Sequence, residues 1–235
     1  AFSGNAGSGL DEDYDAPIVE EDNAGFTGII VTQSRGVKVQ ANSGSRFRHL
    51  VDGSRSWDIL VDGNHAYDCH RPPFGSHYGC SDWNITNNYA RSDLAGGSGC
   101  LWRGFNVLVS DNVFEGVASS GSYGFYDTVG TDADLAKTYA VSHNKFRSAR
   151  TAVGIFSKIA QANIVENEIY GGLDGTAYSP VLISSQNADK VRISGGSIEC
   201  ALGGSAVELV ANSPTARRMV EIKDATIKGY TAYAV

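Results

Sequence analysis

An asparagine recurs along this chain at one fixed place in a short strand-like phrase. The phrase reads aliphatic-x-x-Asn-x-apolar, and two of its eight copies carry Gly196 or Ala225 at the Asn position. Asn accounts for only 14 of the 235 residues, so its return in six of eight copies is far above chance. The eight copies begin at Val39, Val61, Ile85, Val109, Val141, Ile164, Ile193 and Ile222.

The spacing of these phrases predicts stacked coils. Successive copies begin 22, 24, 24, 32, 23, 29 and 29 residues apart, and repeats of this length are typical of solenoids. Each inward aliphatic side chain precedes a sharp turn, where Asn or Gly readily adopts a left-handed backbone. On successive coils the Asn amides could also form a hydrogen-bonded ladder. Further strand-like runs occur at 152–156, 181–184 and 207–210.

The pattern as a whole predicts an all-β protein. Helix-period signals are almost absent, and two or three short strands per coil indicate a right-handed parallel β-helix, a solenoid of about eight coils. A β-sandwich of short strands is the alternative, but it gives no reason for Asn to return at one phase. We expect an acidic lead-in segment at residues 1–24 and a β-helix domain at 25–235, both part of a longer chain.

Composition and charge narrow the function classes. With 19 Lys and Arg against 26 Asp and Glu, the chain carries a net charge of −7, which argues against nucleic-acid binding. No apolar run approaches the roughly 20 residues that span a bilayer, so we expect no membrane insertion. The four cysteines are expected to be buried thiols, and a local Cys69–Cys80 disulfide is the alternative.

The Asn-punctuated coils, Gly-rich turns and absence of helix resemble the pectate-lyase-like right-handed β-helix superfamily over residues 25–235. Within it, phrases such as Asn112-Val-Phe114 and Asn144-Lys-Phe146 are most similar to phage tailspike and tail-fibre depolymerase domains. The Asn-Thr-Asp, Asp-Asp and Gly-His-Gly signatures of polygalacturonase-like hydrolases are missing. The resemblance implies a homotrimer of the virion tail that binds and cleaves a bacterial capsule or lipopolysaccharide. A secreted protein is the alternative localisation.

Three aspartates are the candidate catalytic residues. Asp68 follows Val61 by seven residues and Asp93 follows Ile85 by eight, so neighbouring coils should place them about 5–10 Å apart, as glycosidase carboxylates are. Asp127 is a third candidate. A lyase would instead need a base and a cation that stabilises the developing anion. Asp is also common in turns, which is the structural alternative.

Candidate substrate-binding residues lie in a histidine-rich loop and among the aromatic residues. The loop at 64–80 contains three of the five histidines, which could bind polar or charged groups of a glycan. Exposed aromatic rings provide flat surfaces for the apolar faces of sugars, although the same rings could fill the core. The predicted binding residues are His70, Arg71, His77, Trp83, Trp102, Tyr123 and Tyr126.

We expect no metal site and no cofactor. The His and Cys spacing in the loop matches no short zinc signature. Asp11, Asp13, Asp15 and Asp22 are spaced as in a calcium loop, but Ala16 stands where such a loop needs Gly. Calcium is therefore the less favoured alternative.

Two further functions compete with the depolymerase interpretation. A non-catalytic trimeric receptor-binding protein or tail-fibre shaft would use its carboxylates in turns and its loops against other subunits. A secreted pectin- or alginate-type lyase or epimerase would need calcium and a basic cleft. No dense basic cluster occurs in the sequence outside Arg217-Arg218, which makes that second alternative less attractive.

Overall fold

The chain winds as a parallel β-solenoid in a computed structural model. The structure describes residues 2–4, 6–8, 27–93, 97–116, 123–127, 137–156, 159–172, 179–183, 188–201, 205–210 and 219–229. Three sheets of nine, nine and eight strands run along the column, and every pair of neighbouring strands is parallel. The described residues contain no helix. The predicted all-β parallel solenoid is confirmed, with up to nine rungs instead of eight, while its right-handed sense remains a prediction.

Strand numbers rise by three from one neighbour to the next in every sheet, which shows that each coil contributes one strand to each sheet. The first sheet contains β1 (Phe2–Ser3), β4 (Lys38–Gln40), β7 (Trp57–Asp62), β10 (Ser81–Thr86), β13 (Asn106–Ser110), β16 (Thr138–Ser142), β19 (Ile159–Val165), β22 (Ala188–Ser194) and β25 (Val220–Lys223). The second contains β2 (Ala6–Ser8), β5 (Ser43–Ser45), β8 (His65–Tyr67), β11 (Tyr89–Ser92), β14 (Val113–Gly116), β17 (Lys145–Ser148), β20 (Glu168–Gly171), β23 (Ser197–Cys200) and β26 (Thr226–Lys228). The third contains β3 (Ile29–Thr32), β6 (Val51–Ser54), β9 (Phe74–Ser76), β12 (Cys100–Trp102), β15 (Phe125–Asp127), β18 (Val153–Ile155), β21 (Val181–Ile183) and β24 (Val207–Leu209).

The repeated asparagines form the predicted ladder. In all but the last member, the side-chain amide donates to the Oδ1 atom of the next asparagine at 2.9–3.0 Å. The backbone N–H of the same residue donates to that oxygen too. From Asn64 onward, each amide also donates to a strand carbonyl of the preceding coil. All six side chains are buried, so the ladder satisfies polar groups that would otherwise be costly inside the column. Its members are Asn42, Asn64, Asn88, Asn112, Asn144 and Asn167.

The left-handed residue of each turn is the one before the ladder position, not the asparagine itself. The prediction gave both roles to Asn, and the structure separates them. Ladder asparagines direct their side chains inward, while the preceding residue makes the bend on the outside of the column. These residues have φ between 51° and 64° and are Ala41, Gly63, Asn87, Asp111, His143, Glu166, Gly195 and Asp224.

Aromatic and aliphatic side chains fill the column. Ring centroids of Phe74 and Phe114 lie 5.7 Å apart, and those of Phe114 and Phe146 lie 6.0 Å apart, so phenylalanines stack from coil to coil. The aliphatic residues that open the phrases, from Val39 to Ile193, are buried. The four cysteines are buried free thiols. Burial raises the pKa of Cys69 to about 12, which keeps that thiol protonated and unreactive.

The sheets include strands from the first residues of the chain. β1 pairs with β4 and β2 pairs with β5, both in parallel. The predicted boundary between residues 24 and 25 lies outside the described residues. Among the described residues, no helix has the length and apolar character that crossing a membrane requires.

Candidate functional site

The structure brings Asp68 and Asp93 together at one corner of neighbouring coils, as the spacing predicts. Asp68 has a left-handed backbone with φ of 47°, and its Oδ1 atom accepts the Asp93 backbone N–H at 2.9 Å. The Asp93 carboxylate accepts a hydrogen bond from Arg91 Nε at 2.9 Å on the exposed surface. Both carboxylates therefore have local partners that stabilise the turn. Their catalytic role remains a prediction.

Asp127 is placed in the core, although the sequence suggested a catalytic position in an external loop. Its side chain is wholly buried. Oδ2 accepts the Tyr139 hydroxyl at 3.0 Å, and Oδ1 accepts the backbone N–H of Phe156. The carboxylate thus links β15, β16 and the end of β18, and a substrate on the outside of the column does not reach it.

The two candidate tryptophans are also core residues, so the prediction of exposed sugar-binding rings is wrong for both. Trp83 and Trp102 are 1% and 0% exposed, and their rings meet edge to face with centroids 5.7 Å apart. Trp83 Nε1 donates to the carbonyl of Ser56 at 3.2 Å. Trp83 has the same inward phase as Ile85 on β10, which explains its burial.

Several of the predicted binding residues line a cleft on the outer face of the third sheet, together with residues that the sequence did not predict. Asp52, Gly75, Leu101 and Tyr126 occupy matching positions on β6, β9, β12 and β15. Gly75 leaves room for its neighbours, because a Cβ atom there would lie 3.2 Å from Asp52 Oδ1. The cleft has a volume of about 170 Å³ and is lined by Arg48, His49, Asp52, Arg71, Ser76, His77, Leu101, Arg103 and Tyr126.

His77 lies between an acidic side chain and a basic side chain within this cleft. Its Nε2 atom is 2.9 Å from Asp52 Oδ2, and its Nδ1 atom is 3.0 Å from Arg103 Nη1. The Arg103 backbone N–H donates to Ser76 Oγ at 3.0 Å, which helps to position Arg103. The His77 side chain is 40% exposed, so the imidazole remains open to a ligand.

Burial and neighbouring charges shift the pKa values of His49 and Asp52, which both line the cleft. Burial lowers the pKa of His49, although Asp52 raises it in part. The imidazole Nδ1 lies 2.7 Å from the carbonyl of Pro72, so Nδ1 carries the proton and donates. Burial raises the pKa of Asp52, but the hydrogen bond with His77 and the nearby imidazoles outweigh it, and the net pKa lies below its usual value.

Tyr126 lines the cleft and packs against Tyr123. Ring centroids of Tyr123 and Tyr126 lie 4.4 Å apart. Burial and Tyr123 raise the pKa of Tyr126 to about 12, while Arg103 and Arg71 act in the opposite direction. The hydroxyl of Tyr126 is therefore a hydrogen-bond donor at neutral pH, and both guanidinium groups are close enough to affect it electrostatically.

Some of the predicted binding residues therefore line the cleft and others do not. Arg71, His77 and Tyr126 line the cleft, and Tyr123 stacks on Tyr126. His70 is half-buried and does not line it; its backbone N–H donates to the carbonyl of Phe47 at 2.9 Å.

Sequence reasoning missed six lining residues, namely Arg48, His49, Asp52, Ser76, Leu101 and Arg103. The coil period could have found two of them, because Asp52 lies 25 residues before His77 and Arg103 lies 26 after it. Both separations fall within the spacing of the Asn phrases. The strands of the third sheet carry no recurring Asn, so the sequence does not reveal which of their residues lie beside each other on neighbouring coils.

A wider groove adjoins the cleft. It has a volume of about 600 Å³ and shares His77 with the cleft. It is lined by Thr32, Gln33, Ser54, Arg55, His77, Tyr78 and Gly79. The two depressions together can hold a ligand longer than one sugar ring.

The described residues contain no group of three or more His, Cys, Asp or Glu side chains arranged to hold a metal ion. The candidate calcium residues Asp11, Asp13, Asp15 and Asp22 lie outside the described residues. The expectation that the protein needs no cofactor therefore stays a prediction.

No protein-family model matches the chain, and comparisons with curated proteins and with solved structures found no match. The parallel β-solenoid is consistent with the pectate-lyase-like fold. One fold can carry lyases, hydrolases, epimerases and inert shafts, so function must come from the chemistry of the cleft.

Proposed function

We propose that this protein is a tailspike-like component of a virion that binds and cleaves a bacterial surface polysaccharide. The observation that carries the proposal is the cleft around His77. It places a carboxylate, two imidazoles, three guanidinium groups and a phenol within one small volume on the outside of the column. Convergent polar and titratable groups in a concave site are typical of catalytic and ligand-binding centres.

The cleft offers groups suited to proton transfer. His77 and Asp52 form a hydrogen-bonded pair, Tyr126 can donate from its hydroxyl, and the arginines can stabilise an oxyanion. A glycosidase would need a second carboxylate, and Asp52 is the only one among the lining residues. Lyase and hydrolase chemistry both remain within the proposal, and the products distinguish them.

The test is a polysaccharide digestion. Purified protein is incubated with capsule and lipopolysaccharide preparations, and reducing ends and the ultraviolet absorbance of unsaturated sugars are recorded. We expect product from at least one polymer, and a loss of most activity in His77→Ala. His65→Ala is the matched control, since that histidine is exposed on the second sheet. Equal activity of the two variants would place the reaction elsewhere, and absence of product from every polymer would contradict cleavage.

A non-catalytic receptor-binding or shaft protein is the second candidate. It is favoured by the structural roles of the predicted catalytic aspartates, because Asp68 and Asp93 stabilise a turn and Asp127 is buried. Binding without product would support it. For both candidates we propose a homotrimer, so sedimentation equilibrium should give a mass about three times the 24.9 kDa of one chain.

A further inference from the structure

We propose that the cleft around His77 recognises an anionic group of the glycan, such as a carboxylate or a phosphate. This inference rests on the proposed polysaccharide binding and adds the chemical class of the ligand. The geometry that points to it is the convergence of three guanidinium groups on one small cleft. They belong to Arg48, Arg71 and Arg103, one from each of three successive coils.

The cleft is cationic in a protein that is acidic overall. Three guanidinium groups face a single carboxylate, that of Asp52, whereas the whole chain has a net charge of −7. The two imidazoles do not offset this excess. Local positive potential in a concave site attracts an anionic ligand, and low-dielectric walls focus the field.

Arg48 carries an unused donor at this place. Its Nε atom is buried and has no hydrogen-bond partner among the described residues. A buried N–H without an acceptor is energetically unfavourable. An oxygen of a bound anion would supply the acceptor, and guanidinium groups match carboxylate and phosphate oxygens in geometry.

Another groove of the column lacks this charge excess. The groove on the second sheet contains Lys145 and Arg147, but Glu168 and Glu199 balance them. Lys145 and Glu168 lie 3.8 Å apart. The positive excess is therefore a property of the third-sheet cleft and does not follow from the solenoid as such.

The adjoining groove suits the rest of such a ligand. Its lining includes hydroxyl and amide groups from Thr32, Gln33 and Ser54, and the ring of Tyr78, which is 45% exposed. These groups can bond sugar hydroxyls and cover an apolar sugar face. The groove also contains the Arg55 guanidinium group, so an acidic sugar in the cleft would continue into a second sugar in the groove.

The experiment compares polymers that differ only in charge. Binding is measured by calorimetry with polygalacturonate, alginate and hyaluronate, each beside its carboxyl-reduced product, and with a phosphomannan beside its dephosphorylated product. We expect at least one native polymer to bind, and its neutralised partner to bind at least about tenfold more weakly. The carboxylate and phosphate pairs identify which anion is recognised.

Variants separate the cleft from non-specific charge. Arg48→Gln and Arg103→Gln should remove most of the preference for the native polymer, while Arg147→Gln on the second sheet should keep it. Equal binding of native and neutralised polymers would overturn the inference and leave the proposed function standing. Failure of every polymer, charged or neutral, to bind would overturn both. Equal losses in all three variants would also overturn the inference.

Discussion

His77 accepts a hydrogen bond from Arg103, since its Nδ1 atom lies 3.0 Å from the Arg103 Nη1 atom. A guanidinium group only donates, so Nδ1 must carry a lone pair. The ring proton then lies on Nε2 and is donated to Asp52 Oδ2 at 2.9 Å. These two contacts fix the orientation of the imidazole between two side chains from neighbouring coils.

This arrangement predicts the tautomer of His77. In ¹⁵N nuclear magnetic resonance spectra at pH 8, the His77 Nε2 atom should be protonated and Nδ1 should not. Arg103→Gln replaces the guanidinium by an amide that can donate or accept, so the preference for one tautomer should weaken. A protonated Nδ1 in the wild type would show that the contact with Arg103 does not form.

Acidification should reveal the buried His49. Its folded pKa is lowered from 6.5, mainly by burial, so below pH 6.5 the unfolded chain binds a proton that the folded protein does not. The free energy of unfolding therefore falls as pH drops from 6.5 to the folded pKa. His49→Gln should lack this part of the loss in urea titrations at pH 7.5 and 5.5. The same decrease in both proteins would contradict the assignment.

The ladder should contribute strongly to stability. In Asn112→Ala, the Nδ2 and backbone N–H groups of Asn88 lose their acceptor, and the carbonyl of Ile85 loses a donor. Since each unsatisfied buried group costs about 1–3 kcal/mol, we expect a loss of at least about 3 kcal/mol in urea unfolding. The exposed Asn84→Ala should change the free energy of unfolding by less than about 0.5 kcal/mol. Similar values for both would show that Asn112 is not a ladder residue.

The turn before the ladder predicts a stabilising substitution. Ala41 is exposed and has φ of 53°, a conformation that costs an L-residue about 1–2 kcal/mol. Ala41→Gly should therefore raise the free energy of unfolding by about 0.5–1 kcal/mol, after the entropy of Gly is included. Ala140→Gly, in the strand β16, should lower it. A loss of stability at both positions would place the left-handed residue elsewhere.

The repeat made the fold predictable, because one inward aliphatic residue and one inward Asn recur in each coil and define its register. The strand-like runs at 152–156, 181–184 and 207–210 correspond to β18, β21 and β24. The left-handed position was misplaced by one residue. Sequence composition at that position varies from Ala41 to Glu166, and so it gives little signal.

The site was less predictable than the fold. His77, Arg71 and Tyr126 were identified, but their partners Asp52 and Arg103 were not, because unequal coil lengths hide which residues meet on the third sheet. Residue type alone was also misleading for the tryptophans. Large rings fill the interior of the column, and burial depends on strand phase, which residue chemistry does not reveal.

Every functional statement depends on coils that stack with their asparagines in contact. The most direct measurement is hydrogen exchange of the asparagine side-chain amides. Ladder amides should exchange at least about 100-fold more slowly than the exposed Asn84 and Asn106. Exchange of Asn64, Asn88 and Asn112 at the rate of the exposed amides would contradict the stacked solenoid, and with it the cleft.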